Sequence, residues 1–253
     1  MKATLFALFV GLLMVGCEEK QNPEDSNDTQ GNASALAPAS EKWAEWEANP
    51  KPYGGLKPLA KIKKAKETGA TELNLKYNEI TDLSPLKGLT KLKNLDLSYN
   101  KKITDLSPLM ELTKLEVLAL SGNRITNISP LKGLTNLERL RLMNSKINDI
   151  SPLKGLTNLK VLALSGNQIS DLEPLAALTK LESLGLGDNE ISDLSPLAKL
   201  AKLESLILDG NGISDVSPLK GLTNLKTLWL RGNPTKGQKA MLKKALPDCK
   251  ILF

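Results

Sequence analysis

Leucine and isoleucine recur along most of the chain in one order that repeats with few changes. Within residues 115–136 these apolar positions are Leu115, Leu118, Leu120, Ile125, Ile128, Leu131 and Leu134. The order starts again at Leu137, Leu159, Leu181, Leu203 and Leu225. An earlier copy with one additional residue begins at Leu92. A first copy, which matches the pattern less closely, covers residues 73–80. This pattern predicts repeated units that share one core.

Pro-Leu pairs measure the period of the repeat. Seven of them follow one another, at residues 85–86, 108–109, 130–131, 152–153, 174–175, 196–197 and 218–219. The first interval is 23 residues and the other five are 22 residues. A fixed period in this range is typical of solenoids, which offer one long face and no enclosed central pocket.

Each repeat is predicted to contain one short strand and one short turn. Alternation at Leu118-Ala119-Leu120 places one face of a strand inside the protein. Ser129-Pro130 supplies a capping residue and a first helical position, so a short helical turn is expected there. Because neither element can bury its own leucines, neighbouring repeats must stack on one another.

An asparagine follows the strand at one position of nearly every repeat. These residues are Asn78, Asn100, Asn123, Asn167, Asn189, Asn211 and Asn233. A buried amide has two donors and an acceptor, enough to satisfy the backbone groups that an inward turn leaves without partners. Ser145 occupies this position in the repeat that begins at Leu137, with Asn144 beside it. The shorter hydroxyl predicts a local weak point there.

These residues resemble the leucine-rich repeat family. The pattern LxxLxLxxNxI, followed by an aliphatic residue and Pro-Leu, extends over residues 73–233. The 22-residue variety with Ser-Pro-Leu looks most like bacterial internalin-type repeats and is also similar to the eukaryotic phosphatase-regulator type. The resemblance implies an α/β solenoid, a right-handed superhelix with short parallel strands on its concave face and short 3-10 or helical turns on its convex face. It also implies protein recognition as the usual role.

The repeats, about eight coils over residues 71–236, need a cap at each open end. Residues 41–70 are predicted to form a helical N-terminal cap, with an amphipathic helix that ends near Gly69. Trp43 and Trp46 are interpreted as covering the first coil, and a ligand site is the alternative. Residues 237–253 are predicted to form a C-terminal cap of one helix and one strand.

The N-terminus has the pattern of an export signal. Lys2 precedes an apolar run over residues 3–16, which is too short to span a bilayer but fits the core of a signal peptide. Leu13-Met14-Val15-Gly16-Cys17 resembles a bacterial lipoprotein box, although Met14 and Val15 depart from its commonest residues. We therefore expect a signal peptide over residues 1–16 and lipidation of Cys17. A conventional secretory signal is the alternative.

Residues 17–40 combine the lipidated cysteine with a segment predicted to be a disordered tether. After Cys17 this segment lacks aromatic residues and hydrophobic periodicity, and it is rich in Asn, Asp, Ser, Ala and Pro. The expected location is therefore outside the cytoplasm, with a lipid anchor in a bacterial membrane, on the outer membrane or the cell surface.

Composition argues against catalysis. The chain contains no histidine, which removes the usual base for activating a serine or cysteine nucleophile and a common metal ligand. Two cysteines are too few for a metal cluster, and Cys249 is interpreted as a small buried residue, with a reactive thiol as the alternative. Aspartates that recur before the turns are expected to cap them, and they are Asp82, Asp105, Asp149, Asp171, Asp193 and Asp215. We expect no enzymatic activity, no metal and no cofactor.

The residues that vary on the concave face are the candidate binding site. They are Asn94, Asp96, Tyr99, Arg139, Arg141, Met143, Ile207, Trp229 and Arg231. Exposed Arg, Met and Trp are typical of binding hot spots, and the Gly- and Ala-lined stretches between them suggest room for a peptide or a protruding loop. A neutral surface with scattered large side chains is the alternative.

The expected function is non-catalytic binding of a protein partner by a monomer. A structural or glycan-binding protein of the cell envelope is the alternative. The formal net charge is +6, and lysines recur on the convex side. These lysines are interpreted as a solvated surface, with no nucleic-acid partner.

Overall fold

The computed structural model describes residues 40–235 and 237–253. The predicted signal peptide, the lipidation site at Cys17 and nearly all of the tether lie outside the described residues. The described chain begins with helix α1 (Ser40–Ala48), a 3-10 turn (Lys51–Tyr53) and helix α2 (Leu56–Thr68). Helix α2 ends at Gly69, whose left-handed backbone (φ 63°) lets its N–H bond back to the last turn. The chain then enters the repeats.

Nine short strands form one parallel sheet in sequence order. They are β1 (Glu72–Asn74), β2 (Asn94–Asp96), β3 (Val117–Ala119), β4 (Arg139–Arg141), β5 (Val161–Ala163), β6 (Ser183–Gly185), β7 (Ser205–Ile207), β8 (Thr227–Trp229) and β9 (Lys250–Leu252). The register pairs equivalent residues of successive repeats, such as Leu118 with Leu140. The predicted solenoid with parallel strands is thereby confirmed.

Seven short 3-10 turns connect the successive strands from β1 to β8, and the connection from β8 to β9 contains a helix instead. They cover Ser84–Leu86, Ser107–Leu109, Ser129–Leu131, Ser151–Leu153, Glu173–Leu175, Ser195–Lys199 and Ser217–Gly221. The side chain two residues before the first residue of each turn caps it: Asp149 Oδ1, for example, accepts the N–H of Ser151 at 2.8 Å. The expectation that the recurring aspartates cap turns is confirmed.

The aliphatic ladder of the repeats forms one continuous core. Leu118, Leu120 and their counterparts in neighbouring coils are completely buried. Each fully buried leucine contributes roughly 1.5–3 kcal/mol relative to an exposed one, so the stacked coils together offset the entropy of ordering short elements.

Each end of the core is covered by a cap. At the N-terminal end Trp43 belongs to the core and meets Trp46 edge-on, with ring centroids 4.8 Å apart, which agrees with the covering role expected for this pair. At the C-terminal end helix α3 (Lys239–Ala245) buries Leu242, and strand β9 extends the sheet. Cys249 is half-buried there, and burial raises the pKa of its thiol. The caps therefore close both ends of the solenoid.

Candidate partner-binding surface

A ladder of buried asparagines fixes the turn that follows each strand. Asn100 shows the arrangement: its Nδ2 donates to the carbonyls of Leu97 in its own coil and Leu75 in the preceding coil, at 2.7 and 3.1 Å. Its Oδ1 accepts the N–H of Ile80 at 3.0 Å. The same three bonds recur at Asn167, Asn189, Asn211 and Asn233. Each such asparagine, which we call a rung of the ladder, thus forms hydrogen bonds within its own coil and to the preceding coil, and these bonds hold the adjoining strands in place.

Three rungs are incomplete. Asn78, in the first coil, makes none of the three rung bonds among the described residues and donates instead to the carbonyl of Lys76 at 2.7 Å. Asn123 Oδ1 and Ser145 Oγ are buried polar atoms that have no hydrogen-bond partner in the part of the chain that the structure describes. In the complete rungs the asparagine Oδ1 accepts the N–H of a residue 20 positions earlier. For Asn123 that residue is Ile103. The extra residue between Asn100 and Ile103 disturbs that turn. Asn144 is exposed with φ 54°, so it does not replace the missing amide at Ser145.

Arg139 and Arg141 lie side by side on β4, in the middle of the concave sheet. Their register neighbours on β3 and β5 are Val117 and Val161 beside Arg139, and Ala119 and Ala163 beside Arg141. Both arginines are half-buried, whereas Ala119 and Ala163 are only 4% and 0% exposed. The alanines beside Arg141 are therefore buried, although the Gly- and Ala-lined stretches suggested room for a peptide.

Met143 and Ile207 do not project from the surface, contrary to the sequence interpretation. They are 4% and 7% exposed. Met143 is the second residue after β4, and Ser98, Ser121 and Ser165 at the same repeat position are buried too. The hydroxyl of Ser121 accepts the N–H of Met143 at 3.2 Å. Ile207 packs over Gly187, where an added Cβ would lie 3.3 Å from the Ile207 Cγ2.

The C-terminal end of the concave face combines an aromatic ring with charges. Trp229 is half-buried on β8 between Ile207 of β7 and Leu252 of β9. Arg231 is exposed, and its N–H donates to Asp209 Oδ1 at 2.7 Å. Burial raises the pKa of the Asp209 carboxyl, although that hydrogen bond and the Arg231 charge oppose the shift. This end therefore presents Arg231 and part of the Trp229 ring at the surface.

The N-terminal end carries polar residues and a pair of tyrosines. Asn94 donates to Glu72 at 2.8 Å, and Asp96 accepts the N–H of Ser98 at 2.9 Å. Tyr99 stacks on Tyr77, with ring centroids 4.8 Å apart and planes 4° from parallel. The pKa of Tyr99 is raised by burial, by Tyr77 and by Asp96. Sequence reasoning missed Tyr77, although it stands 22 residues before Tyr99 at the same repeat position.

The convex side presents exposed lysines, among them Lys132 and Lys154. Ion pairs between coils, such as Lys160 with Glu138 at 2.8 Å, are solvent-exposed and contribute little to stability. Among residues 40–235 and 237–253 no group of His, Cys, Asp or Glu is arranged to hold a metal ion. Within the same residues no helix has the length and apolar character to cross a membrane.

Comparisons with known proteins agree with this architecture. The model for leucine-rich repeats in two copies matches residues 71–109, 113–155, 157–199 and 201–237. None of the curated proteins matches the chain.

Solved structures of bacterial repeat proteins are similar to the chain. Internalin C2 of Listeria monocytogenes is 48% identical over 63% of this chain and 70% of its own, with a TM-score of 0.62. The internalin InlF of the same organism is 36% identical over 72% of this chain and 59% of its own, with a TM-score of 0.66. A leucine-rich repeat protein of Leptospira interrogans is 26% identical over 72% of this chain and 60% of its own, with a TM-score of 0.52.

The matched residues cover most of the repeats. The order of residues that the match detects is the one that forms the nine parallel strands, the 3-10 turns and the asparagine rungs. The chain belongs to the leucine-rich repeat family, and its repeats are of the bacterial internalin type.

Proposed function

We propose that the chain binds a protein partner through the concave face of its repeats and performs no catalysis. The observation that carries this proposal is the placement of Arg139 and Arg141, two half-buried charged side chains among small residues at the centre of the sheet. Arginine and tryptophan are enriched among residues that dominate binding energy. Repeat proteins of internalin type typically bind other proteins, which supports the same function.

The proposed surface has two anchors. Arg141 lies on β4 and Trp229 on β8, four strands apart, which is about 19 Å at roughly 4.8 Å for each strand. A protein interface of ordinary size spans that distance with both anchors engaged. Met143 and Ile207 are buried and are left out of this surface.

Substitution of the anchors tests the proposal once a partner has been captured with the intact chain. Arg141→Ala and Trp229→Ala should each weaken binding by at least about 1 kcal/mol, the cost of losing a hot-spot side chain. Titration calorimetry measures the loss, and thermal unfolding checks that each variant is folded. The exposed convex lysines supply the control, since Lys132→Ala and Lys154→Ala should change the affinity little. Loss of binding in the lysine variants alone would place the interface on the convex side.

A lipid on Cys17 is proposed to hold the protein at a bacterial membrane, in a single copy. The support is the sequence of residues 2–17, an apolar run that ends at a cysteine after a small residue. Membrane binding then requires no spanning helix, because more than one buried acyl chain makes release rare.

Mass spectrometry tests the anchor. The mature chain should begin at Cys17 and carry acyl mass, and Cys17→Ser should abolish that mass and the partition into detergent. A mature protein that begins at another residue without acyl mass would contradict the anchor, and it would leave the concave-face proposal untouched.

A further inference from the structure

The residue before each rung of the asparagine ladder has a left-handed backbone in all eight coils. Glycine occupies this position in four coils, at Gly122, Gly166, Gly210 and Gly232. The first two coils place Tyr77 and Tyr99 there, both with φ 60°, although a bulky side chain is strained in this conformation. Glu79 and Lys101 of the same turns are also left-handed. Such strain often accumulates at binding sites, and here it coincides with exposed aromatic rings.

Tyr77 and Tyr99 stack on each other, and Tyr99 packs against Gly122. A Cβ added to Gly122 would lie 2.6 Å from Tyr99 Cδ1, so the Tyr99 ring lies directly against the Gly122 backbone. Tyr77 covers the other side of Tyr99 at 4.8 Å, close to the spacing of neighbouring strands. Tyr77 itself is 65% exposed. The stack therefore ends in an aromatic ring that no further coil covers.

A pocket of about 580 Å³ adjoins this last ring. Its lining includes Pro50, Lys51, Gly54 and Gly55 from the N-terminal cap, with Tyr77 and Glu79 from the first coil. The volume falls in the range of roughly 300–1,000 Å³ typical of small-molecule sites. Because the cap presents two glycines beside the tyrosine, no side chain fills the space where the next ring of the stack would lie.

The wall formed by the cap is firmly attached to the first coil. The carbonyl of Pro52 accepts the N–H groups of Thr81 and Asp82 at 2.8 and 3.0 Å, and the Thr81 hydroxyl at 3.1 Å. A Cβ at Gly54 would collide with the carbonyl oxygen of Asn78, so the close contact requires glycine at this position. Tyr53 is buried between the cap and the core. The pocket is thus formed before any ligand arrives, which lowers the entropic cost of binding.

From this geometry we propose that the pocket binds one ring of a neutral saccharide, stacked on Tyr77. The apolar C–H face of a pyranose matches the exposed aromatic ring, while its hydroxyl groups both donate and accept hydrogen bonds. Lys51 supplies a donor and Glu79 an acceptor at the rim, and their opposite charges favour a ligand without net charge. A protein side chain would lack the several hydroxyl groups of a sugar ring. A polyanion would carry the net charge that this pair of residues disfavours. This site lies apart from Arg141 and Trp229 and is independent of the concave-face proposal.

Binding of defined oligosaccharides tests the site. The probes are chitotetraose, cellotetraose and maltotetraose, with a heparin tetrasaccharide as the charged comparison. Titration calorimetry and saturation-transfer NMR are performed on the full chain in a detergent that carries no sugar head group. At least one neutral probe should bind at millimolar or lower concentration, and irradiation of the aromatic protons of the protein should transfer saturation to the ring C–H protons of that probe.

The key variant is Tyr77→Gly, because four other coils already have glycine at this position and the fold therefore tolerates it. It should keep or raise the melting temperature and weaken saccharide binding about tenfold or more, since the ring beside the cap is gone and the Tyr99 ring that it uncovers lies 4.8 Å further along the stack. Tyr77→Phe retains the ring and should bind within about threefold of the unmodified chain. Trp229→Ala, at the opposite end of the sheet, should leave saccharide binding unchanged.

Three results would overturn the proposal. One is that no neutral probe binds the unmodified chain. Another is that binding survives Tyr77→Gly, which would place the site elsewhere. The third is that the heparin fragment alone binds, which would indicate a charged ligand. Loss of partner binding in Arg141→Ala with intact saccharide binding would separate the two surfaces.

Discussion

The asparagine ladder is complete in the C-terminal coils and incomplete in the middle of the chain. From Asn167 to Asn233 each amide makes three bonds that tie adjoining coils together. Asn123 keeps only its two donor bonds, and Ser145 Oγ has no partner among the described residues. The same residue type thus contributes differently in different coils, because each rung depends on the geometry of the coil before it.

Removal of one rung from each region should give the largest effect. Asn167→Ala should lower the free energy of unfolding by about 1–3 kcal/mol, because it leaves the carbonyls of Leu142 and Leu164 and the N–H of Ile147 without this partner. Asn123→Ala should cost about 1 kcal/mol less, since its Oδ1 has no bond to lose. Urea denaturation measures both. Equal losses would mean that the two rungs are equivalent.

Repair of the interrupted rung should give a smaller effect of opposite sign. Ser145→Asn should raise the free energy of unfolding by about 0.5–1.5 kcal/mol, the net value of a hydrogen bond, because the longer amide can accept the N–H of Ile125 and donate to the carbonyls of Leu120 and Leu142, as the other rungs do in their coils. Asn144→Ser, an exposed neighbour, is the matched control and should change stability little. A loss of stability in Ser145→Asn would show that the turn has no space for the amide.

The capping side chains of the 3-10 turns should give the smallest effect, visible in its pH dependence. Hydrogen bonds from Ser195 hold the pKa of Asp193 below its ordinary value. A lowered pKa in the folded state stabilises the protein above the unfolded pKa, and this contribution is lost as the pH falls through the folded value. Asn127 caps the turn at Ser129 without a titratable group.

Asp193→Asn should therefore reproduce the Asn127 arrangement. We expect it to reduce slightly the fall in melting temperature between neutral and acidic pH, with little change at neutral pH. Scanning calorimetry across that range measures it. An unchanged acid dependence would mean that the hydrogen bonds to Asp193 do not contribute to stability.

Much of the fold was predictable because the repeat imposes it locally. The spacing of Leu118 and Leu120 predicted the strand, and Ser129-Pro130 predicted the turn, and the structure has both. The weak rung at Ser145 was predictable from the loss of one amide. The defect at Asn123 was not predicted, because it arises from an extra residue in the preceding coil rather than from Asn123 itself.

The candidate surface was less predictable, since exposure depends on neighbours as well as on alternation. Met143 has the sequence position of an outward residue, yet it is buried, as are Ser98, Ser121 and Ser165 at the same repeat position. Ala119 and Ala163 belong to the stretches of small residues that suggested room for a peptide, yet both are buried. Tyr77 was missed because the first repeat matches the pattern only weakly, so that the equivalence of Tyr77 to Tyr99 was not recognised. The assignment of the concave residues to a partner stays a prediction.

The sequence by itself determined the solenoid, its period and its buried ladder, because each repeat encodes its strand, turn and core residues within 22 or 23 positions. Only the tertiary structure decided which side chains are accessible, how Tyr77 stacks on Tyr99, and how Tyr77 and the cap line a pocket. The physical reason is that accessibility and pocket shape depend on contacts between different coils and between a coil and its cap. Those contacts join residues more than 20 positions apart, beyond the range of any local pattern.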